Sequence, residues 1–333
     1  MTQNLPAVSV VMPVYNVERF VAAAIDSVLA QSFTDFELII VDDGGNDRSV
    51  EICAAYADPR IRILHQANRG LAGARNTGIA AARGRYIALL DSDDIWLPGK
   101  LAENVAHLDA DPDVGVSYSG AILVNERGED LGVRQTPLVG RIDARQVFCG
   151  RGVCNGSIPV FRREALEQAA LPRDAEGRVW YFDESLRRSE DVECWTRIAL
   201  RSPLAFECLP GFTTLYRVNA GGLSADIPRQ LQSWEDVVDR IAAFAPEFIA
   251  RHRREARARE VRYLARRAVA MRDARLAVSL SVEAVTLQPA LLVTEPRKTL
   301  TTLGAALALR VLSPYRFERL LRRVKPGLAG DVS

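Results

Sequence analysis

Short β-branched apolar runs alternate with helical patterns through the first hundred residues. The runs are VSVVMPV (8–14), FELIIVD (36–42), IRIL (61–64) and YIALLD (86–91), and helical periodicity covers 18–30, 48–57 and 70–82 between them. A strand buried on both faces is apolar throughout, and alternation with helices makes successive strands parallel, joined by right-handed crossovers. A Rossmann-like α/β half is therefore expected. In such sheets ligands lie beyond the carboxyl ends of the strands. Pro13 to Asn16, Asp42 to Asn46 and Asp91 to Asp94, just past three of the runs, become the first candidates for a site.

Farther along, a helix starts near Pro98, and VGVSYSGAILVN (114–125) reads as one or two strands. Residues 126–160 carry Gly, Arg and turn signals with little periodicity. A helix near 190–200 and strands near 204–208 and 213–217 follow, and from about 229 the pattern is helical and Arg-rich, with an apolar TLTTLGAALALRVL (299–312) leading into RFERLLRRVK.

The 333 residues, 48% hydrophobic and 26% charged, exclude a disordered chain. No apolar run reaches the roughly 18 residues that span a bilayer, and MTQNLPAVSV lacks the regions of a signal peptide, so a cytoplasmic location is expected. Cys53, Cys149, Cys154, Cys194 and Cys208 form no CxxC pair and read as reduced and mostly buried, with a metal or redox role for Cys149 and Cys154 as the alternative. The net charge of +1 conceals an asymmetry: residues 229–333 hold 20 Lys+Arg against 11 Asp+Glu. Such a basic segment is a solvated face or a peripheral contact with an anionic membrane leaflet; few aromatics and no recognised motif argue against nucleic acid.

Four polar clusters fall at strand ends or in the following loops. PVYN (13–16) can be simple turn chemistry. In VDDGGNDRS (41–49), Asp47 or Ser49 caps a helix, while Asp43, just past an apolar strand, can accept hydrogen bonds from a nucleobase or ribose. In NRGLAGARNTG (68–78), Arg75 either reaches an anionic ligand or is solvated on a helix face. IALLDSDDIW (87–96) crowds Asp91, Asp93 and Asp94 around Ser92. Like charges so close repel unless something positive lies among them, and carboxylates on a rigid strand end suit a hard divalent cation such as Mg2+ or Mn2+. Scattered histidines and the lack of GxSxG, GxGxxG and GxxxxGK[ST] weigh against serine hydrolysis, dinucleotide and Walker-type chemistry.

Together PVYN, ELIIVDDGGNDRS, ARNTGIAAARGRYIALLDSDD and EDVECWTRIAL resemble the family 2 glycosyltransferases, inverting enzymes with a GT-A fold, over roughly residues 7–225. The resemblance implies a GT-A domain over 1–228, with a nucleotide-sugar half at about 1–125 and an acceptor half at about 126–228, and a helical basic extension over 229–333. It implies that Pro13, Val14, Tyr15 and Asn16 lie beside the nucleotide, that Asp43 contacts the base, and that Asp91-Ser92-Asp93 is the DxD. There Asp91 touches the ribose and Asp93 binds Mg2+ or Mn2+; Asp94 is a second metal ligand or an orienting group. Local features make Glu190 and Asp191 the acidic first turn of a helix; the family motif makes Asp191 the base that deprotonates the acceptor. Trp195 stacks on an acceptor sugar or belongs to the core.

Relatives commonly carry YRxH where this chain has Tyr216, Arg217 and Asn219, so Arg217 becomes the expected diphosphate contact, and Gly45 replaces a usual serine. QxxRW is broken by Ser233 in QLQSW (230–234), which implies one sugar per encounter. The implied partners are an NDP-sugar, with UDP the commonest nucleotide, and a glycan or lipid-linked acceptor in cell-surface polysaccharide synthesis. The alternatives are a nucleotide-sugar-binding scaffold without catalysis and a sugar nucleotidyltransferase.

Overall fold

The computed structural model describes residues 5–150, 152–219, 226–313, 315–317 and 319. Part of LYRVNAGGLSAD and most of RFERLLRRVK lie outside the described residues. Strands β1 (Val8–Val14), β2 (Phe36–Asp42), β3 (Ile61–His65) and β4 (Tyr86–Leu89) alternate with helices α1 (Val21–Leu29), α2 (Ser49–Ala54) and α3 (Gly70–Ala81). Then follow β5 (Ile95–Trp96), α4 (Lys100–Ala110), β6 (Val114–Val124), β7 (Asp130–Gln135), β8 (Gly140–Ile142), α5 (Ala144–Phe148), β9 (Val160–Arg162), α6 (Arg163–Gln168), α7 (Glu190–Arg201) and β10 (Ala205–Arg217). The rest is helical: α8 (Ile227–Ala242), α9 (Pro246–Ala270), α10 (Ala274–Leu287), α11 (Leu291–Thr294) and α12 (Pro296–Val311).

Every residue of β1 is buried, as its unbroken apolar run demands. It lies between β2 and β4, parallel to both, with Val8 opposite Phe36 on one side and Tyr86 on the other. The main path across the sheet is β3-β2-β1-β4-β9-β6-β10-β5. β9 runs antiparallel to β4 and β6, a reversed strand in a mostly parallel sheet. One apolar cluster joins β1, β2, α1 and α4; a second joins Val11, Leu89, Phe161 and Tyr118 with Cys194, Trp195 and Ile198 of α7. These clusters close the two faces of the sheet and leave the strand ends open for chemistry.

One expectation changes. The separate strands near 204–208 and 213–217 are one strand, β10, whose pairing with β6 shifts register between Cys208 and Phe212. Pro210 and Gly211 (φ 96°) make that irregularity, a conformation glycine adopts without strain. Residues 114–124 form a single strand. The chain divides into two compact units: one runs to residue 220 apart from 131–133 and 148–150, the other comprises those segments and the residues after 220. The second has its own core of Val261, Leu264, Ala268, Leu280 and Ala306.

Candidate active site

Pro13 and Val14 are buried in the last pairs of β1, opposite Val41 and Asp42, so their side chains belong to the core. What β1 presents beyond the sheet edge is Tyr15, half exposed, and Asn16, held at φ 51°. Asn16 Oδ1 accepts the Asn46 amide at 2.8 Å. A Cβ on residue 45 would stand 2.9 Å from that same oxygen, which explains a glycine here rather than a serine. Asp43 is buried and its carboxylate accepts from Gln66 Nε2 (2.6 Å) and from the amides of Arg69 and Gly70 (2.8 Å each). It thereby anchors the amino end of α3, where the helix dipole favours an anion.

Arg75 answers the question of what offsets the crowded carboxylates. Its side chain is 2% exposed; Nη2 donates to Asp91 Oδ1 and Nη1 to Glu190 Oε1, each at 2.7 Å. This corrects both expectations for Arg75. It is neither a solvated arginine nor a side chain reaching out to a ligand, because both ends of the fork are spent on carboxylates. Buried Nε finds no hydrogen-bond partner among the described residues. A Cβ on Gly156 would come within 2.2 Å of Nη2, so only glycine leaves room for the fork. The neighbouring Asn76 accepts the amides of Tyr181 and Phe182 (2.9 Å each) and donates to Phe182 O (2.8 Å) and Glu184 Oε1 (3.0 Å). α3 therefore ties the strand ends to the segment that leads into α7.

The carboxylates of DSDD have different surroundings. Ser92 is buried. Asp93 Oδ2 accepts from Asn219 Nδ2 at 2.7 Å, and burial, then the charge of Asp91, push its carboxyl up to about 6. Asp94 is fully buried: Oδ1 accepts the Arg217 amide (2.8 Å) and Oδ2 the Ser157 hydroxyl (2.6 Å). Burial, then the charges of Asp93 and Asp91, hold its carboxyl well above the usual range. Ser157 also accepts the Asp91 amide at 3.0 Å, and its carbonyl accepts Trp96 Nε1 at 2.9 Å.

Among the described residues no group of three or more His, Cys, Asp and Glu is arranged to hold a metal ion. The three aspartates therefore do not form one ligand cluster: Asp91 turns to Arg75, and Asp94 locks the 155–158 loop to the end of β10. The donors left beside Asp93 do fit a hard cation, because Arg75 takes only Oδ1 of Asp91, and Asn219 Oδ1 is buried without a partner among the described residues. Arg217, expected at the diphosphate, is tied to the backbone beside the DxD. Its Nε donates to the Asp93 carbonyl (2.8 Å), its Nη1 to the carbonyls of Asn125 (3.1 Å) and Glu126 (2.7 Å), and it lies 4.8 Å over the Phe20 ring.

At the start of α7, Ser189 adopts φ 57° and Glu190 is buried on Arg75. Burial raises the Glu190 carboxyl to about 7, with Arg75 opposing and Asp191 adding to the rise. Asp191, partly buried, accepts the Val192 amide at 2.8 Å; burial raises its carboxyl too, again against Arg75. Trp195 is a core residue, the second of the two readings the sequence left open. It stacks on Phe161 at 4.8 Å and meets Phe182 edge-on at 5.7 Å, because the inward face of α7 carries Cys194, Trp195 and Ile198. Ser157, Gly156 and Asn76 were not among the sequence candidates.

A mostly parallel sheet with β9 reversed between β4 and β6 and with acidic strand ends is the GT-A arrangement, and solved structures share it over nearly the whole chain. S. aureus TarS 1–349 in complex with UDP-GlcNAc matches with a TM-score of 0.57 at 18% identity, covering 96% of this chain and 86% of that one. The mannosyltransferase PcManGT from Pyrobaculum calidifontis, in complex with GDP-Man and Mn2+, matches with a TM-score of 0.56 at 21% identity, covering 98% and 87%. The chain belongs to glycosyl transferase family 2, whose pattern residues 9–169 match. Succinoglycan biosynthesis protein ExoO of Rhizobium meliloti (strain 1021) is 32% identical over 283 residues, 82% of this chain and 76% of ExoO. Two further relatives are matched over only 27% and 56% of their lengths.

Proposed function

We propose that this protein transfers a sugar from a nucleoside-diphosphate sugar to a hydroxyl of a glycan or lipid-linked acceptor, inverting the anomeric carbon and adding one sugar per encounter. The observation that carries the reading is the Arg75 bridge: Asp91 at the sheet edge and Glu190 beside Asp191 share one guanidinium. An inverting displacement needs its leaving group and its base on opposite sides of one carbon, and the bridge holds the residues proposed for both sides in fixed relation. Asp191 takes the acceptor proton. The acceptor oxygen bonds to the anomeric carbon as the bond to the diphosphate oxygen breaks, and that electron pair leaves on the nucleoside diphosphate. Burial makes Asp191 a stronger base than a solvated aspartate, and such catalysis contributes about 10²–10⁴-fold. Tyr15, Asn16 and Asp43 mark the nucleotide side. A Mg2+ or Mn2+ held by Asp93 and Asp91 would offset the charge of the diphosphate.

A UDP-sugar is the proposed donor, supported by TarS, whose complex holds UDP-GlcNAc; the GDP-Man of PcManGT makes a GDP-sugar the comparison to run. The name of ExoO supports a place in polysaccharide synthesis. Among the described residues no helix is long and apolar enough to cross a membrane. Residues 229–333 are proposed to touch an anionic leaflet peripherally: Leu300, Leu307 and Val311 are exposed along one side of α12, a helix with Arg297, Lys298 and Arg310 and no acidic residue. A mass-spectrometric screen of NDP-sugars with Mn2+ tests the donor, and Asp191→Asn should cut transfer at least about 10²-fold. Full activity in that variant refutes the base. UDP binding without turnover over a broad acceptor panel would mark a scaffold, and pyrophosphate release from an NTP and a sugar phosphate a nucleotidyltransferase.

A further inference from the structure

We propose that Asn219 is a ligand of the divalent cation through its side-chain carbonyl oxygen, completing an all-oxygen site with Asp93. The inference rests on the metal dependence proposed above and assigns a role to a residue at which this chain departs from the YRxH pattern.

Two anchors deliver residue 219 to the site. The Arg217 amide is fixed on Asp94 Oδ1 and the Arg217 Nε on the Asp93 carbonyl, so the chain just past β10 is pinned beside the DxD on both its backbone and its side chain. Asn219 then has its amide directly on the Asp93 carboxylate, with Nδ2 2.7 Å from Oδ2. Its oxygen is the anomaly: Oδ1 is buried and has no partner among the described residues. An orphaned buried acceptor is destabilising, because it has given up its hydrogen bond to water and gained none in return. A half-turn about the Cβ–Cγ bond exchanges Nδ2 and Oδ1. Beside a bare carboxylate the donor must face Asp93; beside a carboxylate that carries a cation, the oxygen faces the cation, and the orphan is satisfied. The nearby alternatives are already committed, Asp94 to Ser157 and Arg217, and Arg217 to backbone carbonyls.

The ligand type has a consequence for metal choice. Carboxylate and amide oxygens suit Mg2+ and Mn2+, whereas an imidazole at this position would favour Co2+ and Zn2+. Binding of Mn2+ in the presence of UDP or GDP, read by electron paramagnetic resonance, tests this in the wild type, Asn219→Leu and Asn219→His, with thermal melts to confirm folding. Asn219→Leu should weaken Mn2+ binding at least about tenfold, the scale on which metal sites lose affinity when a supporting group is removed. Asn219→His should give bound Mn2+ a nitrogen-14 hyperfine coupling that the wild type lacks, and should raise the preference for Co2+ over Mg2+. An unchanged Mn2+ affinity in folded Asn219→Leu, or no nitrogen coupling in Asn219→His, overturns the ligand role and leaves Asn219 a hydrogen-bond partner of Asp93. If the wild type itself binds no Mn2+ with either nucleotide, metal dependence fails first, and this inference falls with it.

Discussion

Replacing Arg75 by methionine keeps an unbranched apolar stem and deletes the charge shared by Asp91 and Glu190. Breaking a buried ion pair costs about 3–5 kcal/mol, because a charge is left without its partner. Here the stranded carboxylates have an escape, since each can take up a proton. Glu190 does so cheaply at neutral pH, its carboxyl already lying at about 7. Asp91 sets the cost: without its partner it forfeits at most that cost of about 3–5 kcal/mol, and less in practice because its side chain is 23% exposed and water shares its charge. Urea unfolding of wild type and Arg75→Met at pH 7 and pH 5 measures the difference. The destabilisation should shrink on acidification, as the stranded Glu190 carboxyl takes up its proton below about 7. An equal loss at pH 7 and pH 5 would mean that Arg75 matters for packing and not as a counter-charge.

Gly156→Ala places a methyl group 2.2 Å from Arg75 Nη2, so it should cost about 1–3 kcal/mol of stability and lower turnover, and unimpaired transfer would show that the bridge tolerates displacement. Lys100 is fully buried beneath Trp96, and burial lowers its ammonium from 10.5 to about 7. Between those values the unfolded chain holds a proton that the folded chain lacks, so stability should rise with pH, by about 1.4 kcal/mol per unit across the window. Lys100→Met should flatten that rise in urea titrations from pH 7 to 10; equal slopes refute the assignment.

The parallel half of the sheet was legible because strands buried on both faces leave continuous apolar runs, and β1 and β2 begin and end where those runs do. β5 has two residues, too few to show a period, and Ser157 and Gly156 fall in a stretch without one. The acidic strand ends were visible as candidates, but their division of labour was not. A linear pattern does not show which way a long side chain turns: Arg75 finds Glu190 across 115 positions, and Arg217 finds the Asp93 carbonyl across 124. Both arginines look like ligand contacts in one dimension and make internal ties in three, Arg75 through both Nη atoms and Arg217 through Nε and Nη1. Trp195 shows the same limit, since an aromatic at the start of an amphipathic helix reads equally well as a platform or as core.

The Arg75 and Asn76 pair on α3 bears on how such enzymes can be recombined. These two adjacent residues hold the backbone at 181–182 and the carboxylates of Glu184 and Glu190, all of which lie beyond the point near residue 125 where a donor half and an acceptor half would be cut and exchanged. A chimera joined there would separate each grip from what it grips. Grafting a new acceptor specificity onto this chain would require segment 181–190 to travel with its own α3, so the unit of exchange is discontinuous in sequence.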